Sequence, residues 1–242
     1  GPGQVRVQVL YAGLNPVDLT ILSGGLGPAK GTRGVGMDFS GIVAEVGEGV
    51  EDFAVGDRVA MEPGVPDLSS RASRAGMYNV DPSVSFWATP PVDGCLVEEV
   101  VHPAAFTYHL PPSVSFGQGA LLEPLAVGMH AATKAAISPG DVVAVSGAGT
   151  IGLLTAAAAL AGGASSVLIS DVSAEKLAIA SGIEGVTAVD GRERSLLEAV
   201  QERTGIPVKL LGQGEGIDDL FGPVSGEVQR EGDSGCCEAR EL

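Results

Sequence analysis

Residues 141–171 read DVVAVSGAGTIGLLTAAAALAGGASSVLISD, and the reading of this stretch decides the fold. It opens on Asp141 to Ser146, an apolar run short enough for a buried parallel strand. Residues 150–162 follow as an apolar helix, and Val167 to Ser170 as a second strand. Between strand and helix stands Gly147-Ala148-Gly149-Thr150-Ile151-Gly152, and Asp171 closes the next strand nineteen residues beyond Gly152. In this strand–turn–helix–strand setting the glycine spacing has a mechanism. Gly147 makes the tight turn, Gly149 lets backbone approach a pyrophosphate, and Gly152 lets helix and strand pack closely. The N–H groups at the helix start, from Thr150 and Ile151 onward, meet the phosphate charge. Asp171 would accept hydrogen bonds from ribose hydroxyls and repel a 2′-phosphate, so the pattern specifies NAD rather than NADP.

The alternation continues downstream. Ser173 is placed to cap a helix running through Ser181, with Lys176 in its first turn. Val186 to Val189 is a third strand, Glu193 to Arg203 a charged helix, and Val208 to Leu211 a fourth strand, expected beside the first with its outer edge unpaired. Strands and helices alternating at this spacing make a parallel α/β sheet. From Gln213 the pattern stops: residues 213–242 hold six Gly, eight acidic residues and two Arg, which is the composition of a disordered tail. Upstream, residues 119–136 are Ala- and Leu-rich and read as helix, with an interruption expected at Pro124. The front of the chain is different. Val5, Val7 and Val9 alternate with Arg6 and Gln8 as a half-buried strand that Asn15-Pro16 ends. Ser40 to Val46, Arg58 to Met61 and Leu96 to Val101 read as further strands, and the Pro-rich residues 62–94 as a long loop. Closely spaced strands with such punctuation suggest a small barrel or sandwich.

Composition narrows the function classes. Lys plus Arg is 14 and Asp plus Glu is 30, a net charge of −16 that repels phosphate backbones and anionic lipid. Nucleic-acid and membrane-surface binding are therefore not expected, and no apolar run approaches the ~18–20 residues of a membrane span. Three Cys, with Cys236 and Cys237 adjacent, give neither a disulfide framework nor metal-ligand spacing. A cytoplasmic protein is the default expectation. Gly numbers 36 and aromatics only 4%, consistent with many close backbone approaches.

Two sets of motifs carry a family resemblance. Residues 12–24 (AGLNPVDLTILSG) and 36–59 (GMDFSGIVAEVGEGVEDFAVGDRV) look like the zinc-free quinone-reductase branch of the medium-chain dehydrogenase/reductase superfamily. Residues 61–66 (MEPGVP), 86–94 (FWATPPVDG), 101–104 (VHPA) and 119–128 (GALLEPLAVG) look like its sorbitol and xylitol dehydrogenases, and this set is the more specific. The resemblance covers roughly residues 1–205. It implies an α/β protein with a GroES-like β-barrel catalytic domain at 1–125, an incomplete Rossmann domain (a doubly wound parallel sheet) at 126–212, and the tail at 213–242. It further implies an NAD-dependent oxidoreductase passing hydride between a polyol or related secondary alcohol and the nicotinamide. Gly147, Gly149, Thr150, Ile151, Gly152 and Asp171 would hold the cofactor; a homo-oligomer is compatible with this reading.

In the family, zinc polarises the substrate oxygen, and its ligand set draws on a Cys, a Gly-His-Glu and the Glu of LLEPLAVG. Here Asn15 stands at the Cys position, Met37 at the His and Asp38 at the Glu, while Glu123 is retained. Zinc favours thiolate and imidazole, so the catalytic metal is expected to be absent. Asp38 and Glu123 become the candidate catalytic residues, their acid/base roles open. Asp67, Ser70, Ser73 and Asp81 occupy the places of the family's four structural-zinc Cys. His102 and His109 read as structural, His130 as a half-buried helix residue, Cys95 as an apolar filler, and Tyr11 and Tyr108 as core aromatics. Four strands against the six of the Rossmann order imply impaired turnover. A zinc-free quinone or enoyl reductase and a non-catalytic dinucleotide-binding remnant are the competing readings.

Overall fold

Alternating Val5, Val7 and Val9 lie in β1 (Gln4–Gly13), which pairs antiparallel with β2 (Asp38–Val46). The computed structural model describes residues 1–23, 34–89, 91–205 and 228–230, and the chain divides into two units, Gly1–Glu123 and Pro124–Leu242.

In the first unit β1 is followed by α1 (Pro16–Leu22), then by β2 and β3 (Arg58–Met61). Residues 62–94, expected as a loop, hold four short elements: β4 (Gly64–Val65), α2 (Arg71–Arg74), a 3₁₀ turn (Tyr78–Val80) and β5 (Ser85–Phe86). β6 (Glu99–Pro103), shifted from the expected Leu96–Val101, precedes β7 (Thr107–His109) and α3 (Phe116–Gly119). The main sheet has the order β6-β1-β2-β3-β7 and is antiparallel throughout. Val5, Val7, Val43 and Val59 are at most 1% exposed and form its core with Phe39 and Trp87, whose rings stack at 5.4 Å. The β1–β2 register sets Gly13 opposite Asp38. That pairing brings the chain leaving β1 to the start of β2.

α4 (Leu122–Lys134) runs through Pro124 without a break. The expected interruption fails for a positional reason: Pro124 lies in the first turn, where the backbone N–H has no intrahelical partner to lose. Beyond it come β8 (Val142–Ser146), α5 (Thr150–Ala161), β9 (Ser166–Asp171), α6 (Ala174–Ser181), β10 (Val186–Asp190) and α7 (Leu196–Thr204). β8, β9 and β10 are parallel neighbours, as the alternating pattern requires. A Cβ on Gly128 would lie 2.8 Å from the backbone of Leu154 and Thr155, so a bare glycine sets how closely α4 meets α5. The other edge of β8 corrects an expectation. It pairs antiparallel with β11 (Val228–Arg230), three residues of the stretch read as a disordered tail. A strand edge offers unpaired N–H and C=O groups, and β11 satisfies them. The expected strand at 208–211 and Cys236-Cys237 lie outside the described residues.

Candidate active site

Two constellations stand out, one in each unit. In the second, the Gly-rich turn joins β8 to α5. Gly147 sits at φ +90°, a left-handed conformation that favours glycine, and its N–H donates to the Ser170 carbonyl at 2.8 Å. A Cβ on Gly152 would fall 1.8 Å from the Gly147 carbonyl oxygen, which no side chain can share. Gly149 differs: a Cβ there meets nothing within 4 Å, and Gly149 caps α5 with no side-chain hydrogen bond. The first N–H groups of α5, at Thr150 and Ile151, thus border open ground at a positive helix end, which suits a phosphate.

Asp171 ends β9 beside this turn. Its Oδ2 accepts from the Ala148 N–H at 2.9 Å and its Oδ1 from the Ser173 N–H at 2.8 Å, while Lys176 Nζ lies 3.5 Å from Oδ2. Burial alone would raise the pKa of this carboxyl, but the Ser173 and Ala148 donors, with Lys176, hold it below the usual Asp value. Sequence reasoning saw Lys176 only as a first-turn residue. Its spacing from Asp171 across the Ser173 cap was the available signal.

In the first unit, Asn15 is extended before Pro16 (φ −121°, ψ 167°) and caps α1. Its Oδ1 accepts from the N–H groups of Val17 at 2.8 Å and Asp18 at 3.3 Å. Asp18, fully buried, returns the contact by accepting from the Asn15 N–H at 2.9 Å, and accepts from the Gly36 N–H at 2.7 Å. With its oxygen committed, Asn15 has its Nδ2 free to donate to Asp38 Oδ2 at 3.1 Å. Asp38 is buried, and its Oδ1 has no hydrogen-bond partner among the described residues. Burial raises the pKa of both carboxyls; for Glu123 the facing Asp38 charge adds to this and pushes it up to about 7. Cys95 is buried nearby, its thiol pushed up to about 12 by burial and by the Asp38 charge.

This donor set does not fit zinc. The Asn15 oxygen is spent on a helix cap, Met37 is buried in the hydrophobic core, and Cys95 is held as a thiol. Among the described residues no three His, Cys, Asp or Glu side chains converge as metal ligands. The second family zinc position is filled by hydrogen bonds. Buried Asp81 accepts from the Asp67 N–H at 2.6 Å and the Ser83 N–H at 3.2 Å, and Ser70 and Ser73 join hydroxyls at 3.0 Å.

His102 is buried, 2.9 Å from the Glu62 carbonyl and edge-on to Trp87; burial lowers its pKa to about 4, so the ring is neutral. Exposed His109 stacks on Phe53. Three expectations are corrected. His130 is exposed, because α4 turns that face outward, and Tyr11 and Tyr108 are exposed at 59% and 49%. The phenols of Tyr108 and Tyr78 both donate to Glu62 Oε2, at 2.9 Å and 3.2 Å, a cluster with no signal in the sequence.

Residues 1–112 match the alcohol dehydrogenase GroES-like domain family. The chain is similar to the medium-chain dehydrogenase/reductase superfamily in its GroES-like part and in the relatives it matches. A D-xylulose reductase of Morganella morganii is 54% identical to this chain over 188 residues, 77% of the chain and 53% of that protein. A sorbitol dehydrogenase of Arabidopsis thaliana is 42% identical over 183 residues, 74% of the chain and 50% of that protein. A solved NAD-dependent alcohol dehydrogenase superposes with a TM-score of 0.76 at 30% identity, covering 85% of the chain and 60% of its own. The chain spans about half the length of the curated relatives it matches. The family and fold that the motifs implied are those found.

Proposed function

We propose that this chain is part of an NAD-dependent oxidoreductase acting on a polyol or related secondary alcohol. The observation that carries the reading is the Gly147–Gly152 turn, open at Gly149 and closed at Gly152, with an ionised Asp171 fixed beside it. The N–H groups from Gly149 to Ile151 would hold the pyrophosphate, and Asp171 the ribose hydroxyls. Nicotinamide, when bound, supplies the hydride acceptor and donor. The polyol class is supported by the names of the relatives, a D-xylulose reductase and a sorbitol dehydrogenase. Asp38 and Glu123 are the groups proposed for the substrate end, and no step is assigned to a metal.

A zinc-free quinone or enoyl reductase is the second reading. It is favoured by Asn15 and Met37, which put an amide and a thioether where zinc would need a thiolate and an imidazole. Asp171 weighs against it through the NADPH such an enzyme would use. Incubating the purified chain with NAD⁺ and sorbitol or xylitol, and separately with NADPH and a quinone, decides between them. NADH formation from the polyol is expected; NADPH consumption with the quinone alone would overturn the proposal.

A further inference from the structure

Asp171 and Asp190 are the last residues of the parallel strands β9 and β10, and they stand in register. Register partners send their side chains to the same face, and neighbouring strands lie only about 4.8 Å apart. The loop after β10 stays on this ground. The Gly191 N–H donates to the Asp171 carbonyl at 3.1 Å, and a Cβ on Gly191 would lie 3.7 Å from Val172 Cγ1. The N–H groups of Glu193 and Arg194 both donate to the Asp190 carbonyl, at 3.0 Å and 3.1 Å, which closes the turn. Arg192 is thereby carried past the carboxyl proposed to hold the ribose.

Where its charge goes is fixed by Asp190. Asp190 Oδ1 accepts from the Arg192 backbone N–H at 2.9 Å and from Nε at 2.9 Å, while Oδ2 accepts from Nη2 at 2.5 Å. The pair takes one edge of the planar fork and neutralises it. Arg192 is 58% exposed, so the pair adds little to stability. Its consequence is electrostatic, because a guanidinium without a carboxylate partner is a bidentate receptor for phosphate. The neighbouring basic side chains are engaged in the same way, Lys176 by Asp171 and Arg194 by Glu202.

We propose that Asp190 sets cofactor choice together with Asp171, by withholding Arg192 from the 2′-phosphate that distinguishes NADP from NAD. This rests on the dinucleotide reading above and deepens it. Asp171 repels the phosphate at the ribose, and Asp190, one strand over, ties up a cation that would offset that repulsion. Turning Arg192 to a 2′-phosphate would leave the Asp190 carboxylate without its partner, a cost that NAD does not incur.

The test is a fluorescence titration of NADH and NADPH against the full chain and its Asp190→Asn, Arg192→Ala and doubly substituted variants. Asp190→Asn removes the charge but keeps an oxygen for the Arg192 N–H, and Asp190→Ser repeats the comparison with a hydroxyl acceptor. NADPH should bind about 10-fold tighter in Asp190→Asn, the lower end of what a hydrogen bond to a charged group supplies, with NADH affinity unchanged. Arg192→Ala alone should change neither, and in the double variant the NADPH gain should vanish. Unchanged NADPH affinity in both Asp190 variants would overturn the proposal. So would a gain that survives Arg192→Ala, since loss of negative charge alone would then account for it. NADH binding by the wild type with either of those results refutes the Asp190 role alone, whereas no NADH binding by any variant would overturn the dinucleotide reading and this inference with it.

Discussion

Gly149 and Gly152 stand three residues apart in one turn, yet alanine at each should fail in a different way. At Gly152 the added Cβ would lie 1.8 Å from the Gly147 carbonyl oxygen, and both parties are backbone, so no side chain can swing aside. That places the overpacking cost near the top of the usual range, ~3 kcal/mol. Alanine recovers ~1 kcal/mol of helix propensity over glycine inside α5, leaving about 2 kcal/mol. For a chain of this size, ~2–4 °C per kcal/mol gives a fall in melting temperature of about 4–8 °C. At Gly149 the Cβ meets nothing, and φ is −74°, so the only structural cost is a poorer helix cap, ~0.5–1 kcal/mol. Binding should suffer more there, since the methyl occupies the ground proposed for the pyrophosphate. Losing one hydrogen bond to a charged group costs ~1.5–3 kcal/mol, or about 10- to 150-fold in NADH affinity. Thermal melts and NADH fluorescence titrations of both variants read this directly. Wild-type affinity in Gly149→Ala, or an undiminished melting temperature in Gly152→Ala, would refute the reasoning.

Three further outcomes are expected. Asp171→Ala should narrow the preference for NADH over NADPH and also loosen the turn, since Ala148 and Ser173 lose their acceptor; an unchanged preference measured by titration would count against the ribose role. Stability should carry two opposed pH slopes. The folded pKa of His102 drops from 6.5 to about 4, so its contribution is present above pH 6.5 and lost as pH falls through about 4. For Glu123 the folded value rises from 4.5 to about 7, so its contribution is present below pH 4.5 and lost as pH rises through about 7. His102→Gln should flatten the first slope and Glu123→Gln the second in denaturant melts across pH, and profiles identical to wild type would contradict both assignments. Finally, elemental analysis after dialysis should find far less than one zinc per chain, and a stoichiometric reading would mean that the donor set has been misjudged.

The β8–α5–β9 unit was legible because its signals are local. An apolar strand, a glycine spacing that sterics enforce at Gly147 and Gly152, and a terminal Asp171 all lie within one short window. The Ser173 cap was legible for the same reason, as its hydroxyl accepts from the Lys176 N–H three residues on. What sequence reading lost depends on partners distant in the chain. β11 exists through pairing with β8, not through any pattern of its own. Short α1 shows little periodicity and is held by the reciprocal Asn15 and Asp18 cap, which was read only as the end of a strand. The exposure of His130 and Tyr108 follows from which face of an element meets the core, and neither residue type fixes that. Asp38 and Glu123 were named through motif resemblance. The use of Asn15 to hold Asp38 comes only with the fold.

The central claim is that the Gly147–Gly152 turn and Asp171 form a site for NAD rather than NADP. Dissociation constants for NADH and NADPH, measured side by side on the purified 242-residue chain, test it most directly. NADH should bind at least ~10-fold tighter, a difference of about 1.4 kcal/mol, because the proposed role of Asp171 is to accept from the ribose hydroxyls and repel the added phosphate. Equal constants, a preference for NADPH, or no binding of either would contradict the account.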